Sequence, residues 1–322
     1  MKTRSASIAF VLLWLVSTVL FWHPFAETLR LAWSDSEFTH ILLILPISAA
    51  LVFSQWNLAK PAPSSSLWAG SVLGATGVLT ALSARWWLGS AAPDVRLSVE
   101  MVALVILWIA AFTLSFGARA ARSMLFPLGF LFWMVPLPSF LLTRIIQVLQ
   151  RGSALAAGLL FSGCAVPVSL QGVVLSIPGV NLEVARECSS IRSSLMLLIT
   201  TMVLAHVLLR VAWRRAVVVA IAIPLSVAKN GLRIFTLGML ATKVDPSFLT
   251  GRLHHEGGGV FFLIALLLIA LLVWLLHRGE ESASAAGSSK NHSQPDELAY
   301  VQTHPMKEDV KRKILSLPSR ET

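Results

Sequence analysis

The sequence contains little charge and little cysteine. Only 13% of its 322 residues are charged and 56% are hydrophobic, whereas about a quarter of a soluble domain is charged. Apolar runs of about 20 residues, enough to cross roughly 30 Å of hydrocarbon, recur along most of the chain. The two cysteines, Cys164 and Cys188, exclude a disulfide framework but leave a single bridge open. The composition therefore predicts a membrane domain.

Two further features of the sequence narrow the class of protein. No clear small-x-small cleavage site follows the first apolar run at 8–22, which predicts an uncleaved first helix instead of a signal peptide. The net charge of +10 is spread over loops between the apolar runs and not gathered in one patch. This distribution argues against nucleic-acid binding.

The apolar runs predict an all-α membrane protein, a bundle of about eight transmembrane helices with a short extracytoplasmic hairpin. The hairpin is predicted where 173–177 and 180–184 flank Pro178-Gly179. Residues 1–277 form the transmembrane domain, and 278–322 form a polar cytoplasmic tail without apolar periodicity, predicted to be disordered. The helices are expected near 6–25, 39–56, 67–88, 97–117, 120–137, 188–210, 215–240 and 257–277.

Most basic residues in the loops fall on one side of the membrane if all eight helices cross it. The positive-inside rule makes that side cytoplasmic. Both termini are then cytoplasmic, and the loops at 23–38, 138–187 and 241–256 face outward from a bacterial inner membrane. The residues that carry this bias are Lys2, Arg4, Lys60, Arg119, Arg122, Arg210, Arg214, Arg215 and Arg278.

The stretch 139–161 is amphipathic. One helical stripe carries polar side chains, and Leu, Ile and Val occupy the other side. Two placements fit this pattern: in the plane of the membrane interface, which we favour, or within the bundle with the polar side inward. The polar stripe consists of Thr143, Arg144, Gln147, Gln150 and Arg151.

Three polar clusters lie at the outward ends of the last three predicted helices. The first, at 186–193, opens the sixth helix and contains Cys188 between Arg186 and Arg192. The positive end of the helix dipole and the two arginines favour the thiolate of Cys188, which is its nucleophilic form. The alternative is a buried, inert cysteine in a polar helix cap.

The second cluster contains Lys229, Asn230 and Arg233, which share one helix face. Arg233 lies about 27 Å along the helix from Arg215, at 1.5 Å per residue, which places it near the outer edge of the hydrocarbon. Cations inside a span are costly and usually functional. Arg233 is therefore a candidate to hold a carboxylate or to stabilise an oxyanion. A snorkelling anchor or a salt bridge, for instance to Glu187, is the alternative.

The third cluster, at 252–259, precedes the eighth helix and contains His254, His255 and Glu256. A histidine here can carry a proton near neutral pH. The three residues are consecutive and lack the i, i+4 spacing of helical metal ligands, so no metal site is predicted. A polar interfacial loop is the alternative. A Cys, an Arg and a His at one membrane surface have the composition of a thiol acyl-transfer site.

In this order and at these positions, the clusters resemble the exosortase/archaeosortase family. ECSSIRS at 187–193 is similar to the family's C-S-G-I/L-R block, with Ser190 where the family usually has Gly. NGLRI at 230–234 resembles its N-x-x-R-I block, and LHHEGGGVFF at 253–262 its His-x-x-x-Gly block. The segment 37–40 before an apolar run with Leu-Pro also resembles a family segment. The resemblance covers about residues 5–277.

The resemblance implies a membrane-embedded cysteine transpeptidase. Cys188 would attack the scissile carbonyl and form an acyl-enzyme thioester, and Arg233 would stabilise the oxyanion. His254 would carry the proton, with His255 as the alternative because the doubled histidine fits the block in two registers. Glu187, Arg192 and Asn230 flank these groups and are the candidates for substrate binding.

The implied substrates are exported proteins with a C-terminal sorting tail of Pro-Glu-Pro type. They would pass to an unknown acceptor in the cell envelope, in a process linked to exopolysaccharide export. The other expected contact is membrane lipid, and no metal, organic cofactor or nucleic acid is implied.

Three other interpretations of the sequence remain open. A small anion transporter would place Arg144, Arg151, Lys229 and Arg233 along one path. A scaffold of polysaccharide export machinery would use the polar cluster for docking. A Cys164–Cys188 disulfide, in an oxidising compartment, would block the proposed nucleophile.

Overall fold

The structure is a computed structural model that describes residues 2–59, 67–86, 92–184, 191–245 and 258–292. A three-stranded sheet, with β1 at Ser169–Gln171, β2 at Val174–Ile177 and β3 at Val180–Glu183, lies between α8 and α9. The helices are α1 (Lys2–Leu20), α2 (Trp22–Ser34), α3 (Ile41–Ala59), α4 (Leu67–Trp86), α5 (Pro93–Phe116), α6 (Ala118–Ser123), α7 (Leu125–Phe130), a 3-10 helix (Leu131–Met134), α8 (Ser139–Gly163), α9 (Ile191–Leu208), α10 (Ala212–Lys243) and α11 (Gly258–His292).

The chain is an all-α multi-pass membrane protein, as predicted. Six helices in its described part are long and apolar enough to cross a membrane, or seven if one bent pair counts as a span. The predicted number of about eight is not confirmed, because the apolar helices Ile41–Asn57 and Leu125–Met134 are shorter than a full span. The predicted helix at 120–137 is divided into α6, α7 and the 3-10 helix.

The bent pair occupies the predicted first helix at 6–25. α1 ends at Leu20, and α2 leaves it at 78°. The hydrogen bond from the Phe21 N–H to the Ser17 carbonyl continues the helical pattern up to the bend. The segment 22–34 is therefore helical, although the sequence analysis placed most of it in a loop.

Helices α1, α3, α4 and α5 pack through glycines and aromatic rings. A Cβ added at Gly70 or Gly77 of α4 would lie 2.5 Å or 2.9 Å from a leucine side chain of α5, so these glycines permit close packing. On the other side of α5, Phe112 packs against Phe10 with ring centroids 5.8 Å apart.

Helix α8 contacts α5, α10 and the chain just after β3. At its start, the Ser139 N–H donates to Asp94 at the first turn of α5, over 2.6 Å. Further along, Gln150 donates to the Val184 carbonyl just after β3, and Ala156 contacts Gly231 of α10. Helix α8 is long and apolar enough to span a membrane, so the favoured interfacial placement stays a prediction.

The sheet contains the predicted hairpin. β2 and β3 pair antiparallel, with Ile177 opposite Val180. Gly179 completes the turn with a φ of 82°, which glycine adopts without strain. β1 adds a third strand that the sequence analysis did not predict. Leu175, Ile177 and Leu182 are buried against α8 and α10.

Helix α11 extends beyond the predicted boundary at residue 277. It continues to His292, so the first part of the predicted disordered tail is helical, and 293–322 lie outside the described residues. A carboxylate explains part of this difference: Glu280 accepts hydrogen bonds from the N–H groups of Arg210 and Val211, where α10 begins. Its negative charge satisfies donors at a helix N-terminus.

Candidate functional site

Lys229, Asn230 and Arg233 form a buried polar cluster on one face of α10. Their exposed fractions are 7%, 1% and 8%. We call the end of the bundle where they lie the polar end. Because cations and amides are costly to bury, three of them within five residues of an apolar helix make this face a candidate functional site.

Lys229 connects α10 to the first turn of α9. Its Nζ donates a hydrogen bond to the Oγ of Ser193. Ser193 belongs to the polar segment that begins at Glu187 and includes Cys188. The bond therefore holds α10 against the helix turn that directly follows the cysteine segment.

Arg233 lies against the start of α11. A Cβ built on Gly258, the first residue of that helix, would lie 3.7 Å from both Cζ and Nη1 of Arg233. An added Cβ at Gly258 would therefore be in van der Waals contact with the guanidinium. The histidine segment at 254–255 ends immediately before this point. Thus the starts of α9 and α11 both meet the same face of α10.

Asn230 and Gly231 attach α8 to the cluster. The Asn230 amide donates to the Ser153 hydroxyl over 3.0 Å. One residue further, a Cβ at Gly231 would lie 2.5 Å from the Ala156 Cβ and 3.1 Å from the Ala157 backbone nitrogen. Only glycine permits helices to approach this closely, so Gly231 sets the distance at which Asn230 reaches Ser153.

The cluster has the electrostatics of an anion site. Lys229 and Arg233 are one helical turn apart on the same face, and both are largely removed from solvent. Cationic donors in a water-poor environment stabilise negative charge that develops on a substrate far more than they do in water. The arrangement suits a carbonyl oxygen that becomes an oxyanion.

The predicted site residues fall into two groups. Asn230 and Arg233 lie together in the buried cluster, and Arg192 lies exposed in the first turn of α9, next to Ser193. The other predicted residues, Glu187, Cys188, His254 and His255, lie outside the described residues.

The sequence analysis did not predict two hydrogen bonds that hold the cluster. Ser153 holds Asn230 from α8, and Ser193 accepts the Lys229 hydrogen bond. Small residues fill 152–158 apart from Leu155, and this was a signal for Ser153, since small residues mark close helix contacts in membranes.

A comparison with known protein families identifies the chain. The family profile of the transmembrane exosortases matches residues 32–271, about three quarters of the sequence. The chain belongs to the transmembrane exosortase family. The match includes all the described residues of the cluster and the cysteine and histidine segments. No curated protein and no solved structure matches this exosortase family member.

The contacts also bear on the transporter reading. Arg144 and Arg151 are exposed on α8, whereas Lys229 and Arg233 are buried on α10. The two pairs therefore have different environments, which does not favour a shared anion path. Cys164 follows the last turn of α8 and is exposed.

Proposed function

We propose that this chain is a cysteine transpeptidase that removes C-terminal sorting tails from exported proteins. The observation that carries the proposal is the convergence on one buried face of α10: Lys229 bonds to Ser193 beyond the cysteine segment, and Arg233 lies against Gly258 beyond the histidine segment. Membership of the exosortase family supports the same activity.

The proposed reaction begins at the Cys188 thiolate. Its Sγ attacks the scissile carbonyl carbon, and the carbonyl oxygen becomes an oxyanion that the Arg233 guanidinium stabilises. The C–N bond then breaks, and a histidine, His254 or His255, donates a proton to the leaving amine. This leaves an acyl-enzyme thioester on Cys188.

The second half of the reaction releases the product. A nucleophile of the cell envelope attacks the thioester carbonyl, the histidine accepts its proton, and the Cys188 thiolate leaves. Water in place of the acceptor would give hydrolysis. Glu187, Arg192 and Asn230 are proposed to contact the substrate, and the reaction needs no metal or organic cofactor.

We also propose that the polar end faces outward from a bacterial inner membrane. The opposite end contains the start of α1, α6 and the turn between α9 and α10, with Arg4, Arg119, Arg122 and Arg210. Basic residues concentrate on the cytoplasmic side of membrane proteins. A site at the other end is accessible to exported substrates, and we expect these to include proteins destined for an exopolysaccharide matrix.

The test follows a reporter that ends in a Pro-Glu-Pro sorting tail, in cells that carry the full chain. Tail removal is measured by gel shift for the wild type and for Cys188→Ser, His254→Ala and His255→Ala. We expect Cys188→Ser to lower the rate by at least about 10³-fold, because a hydroxyl without strong activation is a poor nucleophile.

Cys164→Ser is the matched control, since Cys164 is an exposed cysteine outside the cluster. It should process the reporter at the wild-type rate. The histidine whose replacement stops tail removal is the proton carrier. Unchanged processing by Cys188→Ser, in protein that inserts and accumulates normally, would overturn the proposal in favour of a transporter or scaffold.

A further inference from the structure

A groove lined by aromatic rings opens between α1, α3 and α5, away from the polar end. Its volume is about 590 Å³. Along α3 it extends from Leu45 to Trp56, about 16 Å at 1.5 Å per residue. Such a long, apolar groove matches the shape of an extended hydrocarbon chain. The rings that line it are Phe10, Trp14, Phe53, Trp56, Trp108, Phe112 and Phe116.

The groove reaches the end of the bundle where α1 begins and α5 ends. Ser7 of α1 and Phe116 of α5 line it there. Arg4 lies one helical turn before Ser7, and Arg119 lies three residues after Phe116, in α6. Ala6 and Ala120 belong to the same buried cluster as Phe116, so these two segments are held together.

Three exposed arginines, Arg4, Arg119 and Arg122, therefore lie near the mouth of the groove. The segments that form the groove contain no acidic residue: no Asp or Glu occurs in 1–26, 38–93 or 101–182. Glu280, a carboxylate described at this end of the bundle, accepts hydrogen bonds from Arg210 and Val211 instead. The negative charge that complements these arginines must come from outside these segments.

We propose that this groove binds an anionic phospholipid. One acyl chain lies along the aromatic rings, and the phosphate headgroup contacts Arg119 and Arg122, with Arg4 nearby. Basic residues next to hydrophobic grooves between transmembrane helices are suited to anionic headgroups. The site lies at the end opposite Lys229 and Arg233, and the proposal does not depend on the transpeptidase activity.

The experiment uses the purified full chain in nanodiscs that contain equal amounts of phosphatidylglycerol and phosphatidylcholine. The protein is released into mild detergent, and native mass spectrometry measures the lipids bound to it. Titration with each lipid gives its Kd. We expect phosphatidylglycerol to bind at least about 25-fold more tightly than phosphatidylcholine, since each of the two headgroup arginines contributes about fivefold.

Two variants test the headgroup contact and the acyl-chain contact separately. Arg119→Ala with Arg122→Ala should weaken phosphatidylglycerol binding by about 25-fold, about fivefold per arginine, with little effect on phosphatidylcholine. Ala49→Trp places a large side chain in the groove from an exposed position on α3 and should weaken both lipids. These changes affect exposed positions, and thermal unfolding verifies that each variant folds.

Arg144→Ala is the matched control, because Arg144 is an exposed arginine at the polar end of the bundle. It should bind phosphatidylglycerol as the wild type does. Equal affinity of the wild type for the two lipids would overturn the proposal. Binding unchanged in the double arginine variant, or in Ala49→Trp, would overturn it as well, since lipid would then surround the protein without a specific site.

Discussion

The two ends of this bundle are built from different side chains. At the polar end, α8, α9, α10 and α11 meet through buried polar groups and small residues, such as Asn230 with Ser153 and Gly231 with Ala156. Around the groove, α1, α3 and α5 meet through large rings, such as Trp56 and Phe116 with centroids 4.9 Å apart. The first region holds the candidate chemistry, and the second holds the bundle together.

The difference follows from what drives helix association in a membrane. Lipid is as apolar as leucine, so burial of apolar surface alone does not draw helices together. Interlocking rings supply dispersion and aromatic contacts, whereas small residues let backbones approach until polar groups bond. Helix packing at the polar end therefore depends on precise distances between backbones. Helix packing in the aromatic region depends on how completely the side chains fill the space.

Among the residues that the structure describes, the largest effect is expected at Arg233. Arg233→Ala should lower the rate of tail removal by about 10²- to 10³-fold, because it removes the donor proposed for the oxyanion. Arg233→Lys keeps the positive charge but loses the planar guanidinium fork, so its rate of tail removal should lie between those of the wild type and Arg233→Ala. A pulse-chase of the reporter measures these rates, with Arg144→Ala as control. If Arg233→Ala removed the tail at the wild-type rate, the buried cluster would have no role in the reaction.

Phe112→Ala should affect stability and leave the chemistry intact. Phe112 is 3% exposed and packs against Phe10, Trp56 and Phe116. The cavity left by the missing ring should lower the free energy of unfolding by roughly 3 kcal/mol. Thermal unfolding in detergent measures this, with exposed Phe140→Ala as control. A loss of processing per folded molecule would show that the two regions are not independent.

Gly231→Ala should disturb the contact between α8 and α10. The new Cβ would lie 2.5 Å from the Ala156 Cβ, so the helices must separate, at a cost of about 1–3 kcal/mol. Adding Ala156→Gly should recover part of that loss, although the Ala157 nitrogen at 3.1 Å remains. Gly163→Ala is the control, since an added Cβ there meets no atom within 4 Å. Equal unfolding temperatures for the two glycine variants would contradict this account.

The smallest effect is expected at His40, just before α3. Burial lowers the pKa of His40 below its ordinary value of 6.5, more than a hydrogen bond to the Glu37 backbone raises it. The unfolded chain takes up a proton near pH 6.5 and the folded protein does not, so stability present above that pH declines as the pH falls. Melting temperatures at pH 7.5 and 5.5 measure this decline. His40→Gln should make this decline in melting temperature smaller. The same decline in the variant and the wild type would contradict the prediction.

Much of the fold follows from patterns that are local in the sequence. Apolar runs of spanning length predicted most helices within a few residues, and Pro178-Gly179 predicted the hairpin turn because each residue favours its turn position. The bend after Leu20 and the division of 118–134 were not predicted. An apolar run has the same composition whether its helix is straight or broken, so periodicity does not reveal such breaks.

Residue identity and spacing alone indicated the candidate groups of the site: cationic side chains inside a span, and Lys229, Asn230 and Arg233 on one face of a helix. Their partners were decided only by the tertiary structure. Ser153 is far from Asn230 along the chain, and Gly258 is far from Arg233; packing alone brings them together. Hydropathy determines which segments enter the membrane, but side-chain shape determines which helices become neighbours there.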